Sequence, residues 1–473
     1  AERAREVMRI APPKEARPGH AESYNPPGEY LMTREEEDAW RAADPSTRES
    51  PFLPVKYGAL RQIPAYKPLV NERFERMLDL YLATRIKKSK LRMDPEDLIP
   101  KLPKPKDLRP FPDALTTSWR VPHGFARTID VHPTGRWLLS GNNAGEVTMW
   151  EVPLGRPVYT WKFGDESDDG SEPVTCVKWC PLPDVAFFAA TVGRTLYVVT
   201  AARFLGQIDV LRKTEALMEK SLEGKPSKTK GIAWTEFQTK SDSENASVDR
   251  IEISHNRAVR QIAFHRRGDY IGVVTKDGTG SAVVLHRLSM RQSQVPFSKK
   301  SATGVQDIAF HPLRPFFFIA TQQHVRVYNL ANQELVKKLS SGVKLISRMT
   351  VHPSGDHVLV SSLDKRLVWF DLDLSSKPYK TIRNHTLAIR AVAFHPQLPL
   401  FADGSDDASA HVFHATVYDD MLKNALIVPV KTLDGYHKPD MSLGVVDLCW
   451  HPVYPWLFTA GSDGTIKMFT NVS

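Results

Sequence analysis

The chain has 473 residues, 41% of them hydrophobic, and a net charge of +9, which is ample for a core and suits two or three domains. Three cysteines without a second spaced pair exclude a disulfide framework and a zinc site, and they favour a reducing compartment. No apolar run approaches the ~18 residues of a membrane span and no signal segment is recognisable, so neither membrane insertion nor secretion is predicted.

Residues 1–114 are predicted to form an extended, proline-rich arm with short helices. Sixteen of the 35 prolines precede residue 121, and such a sequence has little capacity to bury a core. A capping box at Thr33–Glu36 predicts one short helix. A longer helix, capped by Asn71, would carry one apolar stripe, the predicted protein-binding site of the arm, formed by Phe74, Met77, Leu78, Tyr81 and Leu82. The stripe would either pack on this protein's own folded part or dock on another protein.

Residues 115–473 carry an internal repeat. A short apolar strand runs seven times into a His-Pro pair or a variant of it, and we call the residue at this point the turn residue. The seven turn residues are His132, Cys180, His265, His311, His352, His395 and His451. Four of the six steps between them, 48, 46, 41 and 43 residues, fall near the repeat of about 40–45 residues that marks a four-stranded propeller blade. The predicted fold is all-β, a seven-bladed WD-repeat β-propeller.

The second half of each repeat supports this prediction. An Asp- or Gly-rich turn precedes a strand that ends in an aromatic residue, as in Gly461–Gly464 before Phe469. His123, His255 and His385 stand where the WD-repeat pattern has Gly-His, but the glycine is missing. The hydrogen-bonded His–Ser–Asp–Trp network of ideal repeats is therefore expected to be incomplete in most blades.

The repeat has two irregularities. The last repeat lacks an outer strand of its own, and Thr117–Val121, just before the first repeat, is the natural donor that would close the ring. The longest step, from Cys180 to His265, leaves room for an insertion of ~40 residues, which we place at about 204–254.

Two sets of basic residues are candidate contacts on the propeller. Arg127, Arg260 and Arg390 each lie five residues before their turn residue, so the propeller's rotation should bring them around one mouth of the channel, where they could bind an acidic segment or phosphate. Residues 255–370 hold 17 Lys/Arg against 6 Asp/Glu, a basic sector in blades three to five that could contact RNA. Its candidate residues are Arg266, Arg267, Arg287, Arg291, Lys299 and Lys300. Both sets also have a simpler interpretation. Arginine is common in ordinary WD repeats at the position of Arg127, Arg260 and Arg390, and runs of basic residues are usually solvated surface.

The sequence contains no recognisable catalytic centre. Its recurring His, Ser and Asp residues are explained by blade-stabilising hydrogen bonds, and it has neither a phosphate-binding Gly-rich loop with Lys nor a metal-spaced His/Cys set. We therefore predict a binding protein without cofactor, metal or small-molecule substrate. Two classes stay open: an assembly scaffold, or a WD-repeat reader of acidic or modified peptides, such as a chromatin factor or a ligase substrate receptor.

The arm carries motifs that resemble the N-terminal region of the block-of-proliferation family. They run from Ser50 to Arg61, from Ile63 to Tyr66, from Phe74 to Leu82, from Leu98 to Pro103 and from Lys106 to Pro112. The resemblance covers essentially the whole chain, and the arm motifs are more diagnostic than the repeats. The family's long acidic N-terminal extension is not part of this sequence.

The resemblance implies a nucleolar and nucleoplasmic assembly factor of the large ribosomal subunit. Such proteins bridge a pescadillo-type partner, engaged by the arm, and a second WD-repeat protein, engaged by the propeller. The complex serves maturation of the precursor that contains the 5.8S and 25S/28S RNAs. The resemblance therefore also implies contact with pre-ribosomal RNA and large-subunit precursors, and no membrane.

Overall fold

The computed structural model describes residues 25–59, 62–63, 66–82, 103–164, 172–223, 229, 231–238, 248–276, 282–296, 304–418 and 425–471. It divides into two units, residues 1–101 and residues 102–473. Each unit is described below by itself.

The first unit contains two α-helices. Helix α1 (Arg34–Ala42) begins after Thr33, whose backbone N–H donates to the Glu36 carboxylate at 2.8 Å, which confirms the predicted capping box. Helix α2 (Tyr66–Leu82) begins earlier than predicted, so Asn71 lies inside the helix and is not its cap. Pro68 is tolerated there because a proline in the first helical turn removes no intrahelical hydrogen bond.

The second unit is a ring of seven sheets, which confirms the predicted propeller. Blade 1 contains β2 (Ala126–Val131), β3 (Trp137–Asn142), β4 (Glu146–Glu151) and β5 (Arg156–Lys162). Blade 2 contains β6 (Val174–Trp179), β7 (Phe187–Val192), β8 (Thr195–Thr200), β9 (Ile232–Gln238) and β10 (Val248–His255). Blade 3 contains β11 (Val259–Phe264), β12 (Tyr270–Thr275), β13 (Val283–Arg287) and β14 (Gln292–Gln294). Blade 4 contains β15 (Asp307–Phe310), β16 (Phe316–Ala320), β17 (His324–Asn329) and β18 (Glu334–Ser340).

The remaining blades follow the same order. Blade 5 contains β19 (Ile346–Val351), β20 (His357–Ser362), β21 (Leu367–Asp371) and β22 (Lys380–Ile382). Blade 6 contains β23 (Ile389–Phe394), β24 (Leu400–Ser405), β25 (Ala410–Thr416) and β26 (Leu426–Leu433). Blade 7 contains β27 (Val445–Trp450), β28 (Leu457–Gly461) and β29 (Thr465–Thr470), with β1 (Ala114–Arg120) as its outer strand.

The ring is closed by the first strand of the chain. Strand β1 pairs antiparallel with β29, with Ser118 opposite Lys467 and Arg120 opposite Thr465, so the predicted closure is confirmed. Trp119 is buried and its ring centroid lies 5.9 Å from that of Trp150 in blade 1. The closing strand therefore joins blade 7 to blade 1 as well as completing the sheet.

The core lies between the faces of neighbouring blades. One apolar cluster, for example, joins Phe318 and Val327 of blade 4 to Val358 and Phe370 of blade 5. The second strands of blades 2 and 7, β7 and β28, are buried along their whole length by such contacts, and strands of this kind are mostly apolar in sequence.

The turn residues join each blade to the next. Backbone N–H groups of Leu313 and Arg314 both donate to His311 Nδ1 at 2.9 Å, so the imidazole fixes the tight turn after the inner strand. Its ring lies against Gly355 of blade 5, where an added Cβ would stand 2.2 Å from the ring and where φ is +92°. Only glycine fits there.

The insertion lies between the third strand of blade 2, β8, and its fourth strand, β10. It contains α3 (Ala202–Leu205), α4 (Ile208–Glu223) and β9, and the sheet order is β6-β7-β8-β10-β9. The predicted bounds of about 204–254 therefore take in β10, which is the blade's own fourth strand. Helix α4 is anchored by Thr214, whose hydroxyl accepts the Ala186 N–H at 3.1 Å.

The last residues of the predicted arm belong to the second unit. Leu108 and Phe111 pack in the same apolar cluster as Val430 and Leu433 of blade 6. These contacts place the last residues of the predicted arm, 1–114, in the unit that spans residues 102–473.

Candidate partner-binding surfaces

Helix α2 presents an exposed apolar face in the first unit. The five predicted residues follow the spacing i, i+3, i+4, i+7, i+8, which places them on one side of a helix. All five are exposed, with Phe74 at 65% and Tyr81 at 84%. A group of exposed large apolar side chains of this kind is typical of a protein interaction site.

A ring of seven side chains surrounds one mouth of the propeller channel. In six blades, one residue near the start of the inner strand has no partner on the second strand, so the register shifts by one at that residue. Such a β-bulge changes the direction of the side chain. In blade 4 the corresponding residue, Gln306, stands directly before β15. We call these residues the bulge ring: Arg127, Thr175, Arg260, Gln306, Ser347, Arg390 and Val446.

The bulge ring encloses a cavity of about 220 Å³. The three predicted arginines all line it, so the structure brings them together as expected. Arg390 Nε donates to Asp406 Oδ1 at 2.6 Å. Partial burial and the neighbouring charge of Arg390 lower the pKa of Arg127, because a like charge disfavours the cation.

The floor of the cavity is a side chain that the sequence did not indicate. Arg348 lines both this cavity and a second one, of about 650 Å³, that lies further along the channel. Burial acts against the Arg348 cation, but the carboxylates of Asp447 and Asp307 outweigh it and raise its pKa. Beside it, Lys178 Nζ lies 2.8 Å from Asp130 Oδ1. The channel is thus divided by a network of paired charges.

The predicted RNA-binding residues have different environments. Arg266 and Arg267 are exposed in the β11–β12 turn, at the end of the inner strand opposite to the bulge ring. Arg287 donates to Asp269 at 3.1 Å and lies over the Tyr270 ring.

One predicted RNA-binding residue is buried, and two others lie outside the part of the chain that the structure describes. Arg291 is only 6% exposed, which corrects its placement on a solvent-facing surface, because a phosphate contact needs an accessible guanidinium. Lys299 and Lys300 lie outside the described residues.

An apolar groove beside α4 was not predicted either. Leu217 and Met218 of the helix, together with Leu182, Leu288 and Met290, line a cavity of about 430 Å³. The groove depends on how the insertion helix packs against blades 2 and 3, and a single sequence gives no register for such a contact.

The histidine networks are complete in some blades only. In blade 6, His385 Nδ1 lies 3.0 Å from Asp407 and Nε2 lies 3.1 Å from Asp403. In blade 7, His437, which the sequence pattern missed because it stands farther from its turn residue, reaches Asp463 at 3.2 Å and Thr459 at 2.7 Å. Blade 3 instead pairs His255 with His286 at 3.0 Å.

The described residues give no sign of a membrane span or a metal centre. No helix within them is long and apolar enough to cross a membrane. Nor do they contain a group of three or more His, Cys, Asp or Glu residues placed to hold a metal ion.

Two sequence profiles match the chain. The BOP1NT (NUC169) domain profile matches residues 1–112, and the profile of the WD domain, G-beta repeat, matches residues 376–414 and 427–470. The latter two segments include the His385 and His437 networks, so the profile matches the blades in which a histidine is paired with the aspartate of the following turn.

Curated relatives match almost the whole chain. Ribosome biogenesis protein bop1-B of Xenopus laevis is 46% identical over 98% of this chain and 62% of its own length. Ribosome biogenesis protein BOP1 of Homo sapiens is 45% identical over 98% of this chain and 61% of its own. Ribosome biogenesis protein ERB1 of Malassezia globosa is 43% identical over 99% of this chain and 55% of its own. The chain therefore spans less than two thirds of the length of these relatives.

Proposed function

Because the chain belongs to the family of the BOP1 and ERB1 ribosome biogenesis proteins, we propose that it is a non-enzymatic scaffold in large-subunit assembly. In this role it supports maturation of the 5.8S and 25S/28S rRNA precursors in the nucleolus and nucleoplasm. The arm engages a pescadillo-type protein, and the propeller engages a second WD-repeat protein. The observation that carries the proposal is the exposed apolar face of α2, which lies within the matched BOP1NT segment.

The arm contact rests on burial of that face by the partner. Fully burying one large apolar side chain is worth about 1.5–3 kcal/mol, so loss of three should weaken association by several orders of magnitude. We expect the triple variant Phe74→Ala, Leu78→Ala, Tyr81→Ala to lose pescadillo-type binding, measured by pull-down and calorimetry, with an unchanged melting temperature of the propeller.

A matched control removes polar side chains from the same helix. The triple variant Glu72→Ala, Arg73→Ala, Asp79→Ala should retain binding. Melting of the propeller in the apolar variant would instead mean that the face is part of the protein's own core, and retained binding would place the contact elsewhere on the chain.

The propeller's contact with RNA is assigned to the exposed part of the basic sector. Arg266 and Arg267 are the predicted residues that are both described and exposed. On single-stranded RNA, each phosphate contact adds about 0.7 to the slope of log affinity against log salt concentration. We expect Arg266→Glu with Arg267→Glu to weaken binding of a precursor rRNA fragment and to flatten this slope, measured by filter binding between low and moderate salt.

A control that reverses two other basic residues distinguishes this site from nonspecific attraction of RNA to the protein's net positive charge. Arg383 and Lys438 are exposed and lie outside residues 255–370, which form the basic sector. Arg383→Glu with Lys438→Glu should leave RNA affinity within about twofold of the parent, because isolated screened charges contribute little. Equal losses in both variants would assign RNA binding to the net charge alone. Loss of the WD-repeat partner with RNA binding retained would give this surface to the protein partner.

A further inference from the structure

The cavity inside the bulge ring is strongly cationic. Arg127, Arg260, Arg348 and Arg390 line it, and among the described lining residues there is no aspartate or glutamate. Concave sites with low-dielectric walls focus such a field and concentrate ions of the opposite sign.

The arginines of the bulge ring are not needed to form the bulges or to close the ring. The same bulge carries Thr175 in blade 2, Ser347 in blade 5 and Val446 in blade 7. Thr175 and Ser347 donate to backbone carbonyls of the following blade, to Val259 at 3.0 Å and to Ile389 at 2.6 Å. A hydroxyl or a valine satisfies the fold at this position in three blades, so the bulge itself does not require the guanidiniums of blades 1, 3 and 6.

The charges that face this cavity are unequally compensated. Arg348 is neutralised from the channel side by Asp307 and Asp447, and Arg390 is held by Asp406. These two pairs orient guanidiniums at the floor and wall. Arg127 of blade 1 is exposed at the rim, and Arg390 of blade 6 lies only two blades away and acts on it as a like charge. An anion bound between them would relieve this repulsion.

The size and lining of the cavity favour a carboxylate over a nucleotide. Its volume of about 220 Å³ is below the ~300–1,000 Å³ of ordinary small-molecule sites. None of its described lining residues is aromatic, whereas proteins that bind single-stranded RNA stack bases on aromatic rings. The Thr175 and Ser347 hydroxyls donate to backbone carbonyls, and Gln306 Nε2 donates to the Gly304 carbonyl at 3.3 Å. The guanidiniums are therefore the groups in this cavity that would bind a carboxylate.

We propose that the bulge ring is a binding site for an acidic peptide segment, which lies across the channel mouth and inserts aspartate or glutamate side chains between Arg127, Arg260 and Arg390. The site faces away from Arg266 and Arg267, so it is separate from the RNA contact proposed above and does not depend on it.

The test measures binding of a fluorescein-labelled decapeptide containing four consecutive glutamates to the full chain, by fluorescence anisotropy. Arg127→Gln with Arg260→Gln should weaken binding by about tenfold or more, since charge-assisted guanidinium–carboxylate bonds are among the stronger polar contacts. The control, Arg266→Gln with Arg267→Gln, removes the same charge from the opposite face and should change affinity by less than about twofold.

Three further outcomes would overturn the proposal. Equal loss in both double variants means attraction by net charge. Tighter binding of a labelled ten-nucleotide adenosine RNA, lost in the Arg127 and Arg260 variant, makes the ring a nucleic-acid site. Peptide binding that is unchanged in that variant places the peptide elsewhere. Melting temperatures of all variants should match the parent, because the Thr, Ser and Val of other blades show that the bulge tolerates neutral residues.

Discussion

At the scale of single residues, the histidines of this propeller have two charge states: the turn residues are neutral, and His385 is protonated. The turn residues accept backbone N–H bonds at Nδ1, which requires a neutral ring. Burial lowers the pKa of His132, His352 and His451 to about 4, consistent with this role. Cys180 replaces the imidazole in blade 2, and its sulfur lies against Gly268 of the next blade as the imidazole does elsewhere.

His385 is the opposite case. Burial alone would lower its pKa, but the carboxylates of Asp403 and Asp407 outweigh this effect and raise the pKa of His385 to about 9. The same contact lowers the pKa of Asp407 despite partial burial of its carboxyl group. His411, whose ring packs edge-on against His385 at 4.3 Å, has a pKa lowered by burial and by the His385 charge. One cation between two carboxylates therefore stabilises blade 6.

We predict that His385→Gln destabilises the propeller by about 3–5 kcal/mol near pH 6.5, because it leaves Asp403 buried without its cation. The stabilisation from His385 should be complete below its unfolded pKa of about 6.5 and should fade as pH rises through about 9. Urea denaturation at pH 6.5 and 9.5 measures both effects, and the difference between parent and variant should shrink at the higher pH.

His123 provides the control for this prediction. It occupies the equivalent position in blade 1 and pairs with Glu146 at 2.9 Å, but its side chain is 64% exposed. His123→Gln should therefore cost at most about 1 kcal/mol. A cost for His385→Gln that does not vary between the two pH values would mean that the ring acts there by packing and not by charge.

At the scale of secondary-structure elements, the sequence predicted those whose pattern is local. The capping box of α1 and the apolar stripe of α2 depend on residues within one or two turns, and both are present. The predicted start of α2 at Asn71 was wrong. Asparagine is a favoured N-cap residue, but Pro68 does not prevent helix formation in the first turn, so the helix begins at Tyr66. The apolar side chains of the candidate arm site followed from helical spacing alone.

Features that depend on contacts between distant strands were harder to predict from the sequence. The rotation of the repeat predicted that Arg127, Arg260 and Arg390 share one mouth, and this is confirmed. The bulges that aim them there were not predicted, because a bulge is a property of the register between two strands. Arg348 was missed since nothing in its own repeat reveals the carboxylates of Asp307 and Asp447 on other blades.

At the scale of the whole molecule, the ring depends on a contact between the beginning and the end of the propeller. Without β1, blade 7 would expose the edge of β29 to solvent and leave Trp150 without the stacked Trp119. An unpaired edge is a template for association with another chain.

We predict that Thr117→Pro with Ser118→Pro in the full chain opens this contact. Proline removes the N–H that the ladder needs, and each unsatisfied carbonyl costs about 1–3 kcal/mol. Calorimetry should show a lower melting temperature, and light scattering should show concentration-dependent association. The control, Thr117→Ala with Ser118→Ala, keeps the backbone donors. Its association in light scattering should therefore match that of the parent. An unchanged melting temperature in the proline variant would mean that the ring is stable without β1.

The position of β1 also sets the order in which the propeller can be completed during synthesis. Thr116 and Thr470, which face each other across the closing pair, are 354 positions apart in the chain. At translation rates of about 5–20 residues per second, β1 is finished roughly 20–70 s before its partner strand exists. Helix α2 precedes β1 in the chain and is therefore synthesised before that interval begins. A partner that binds the arm during this interval therefore binds a protein whose ring is still open. Closure of the last blade can occur only after translation of the propeller has been completed.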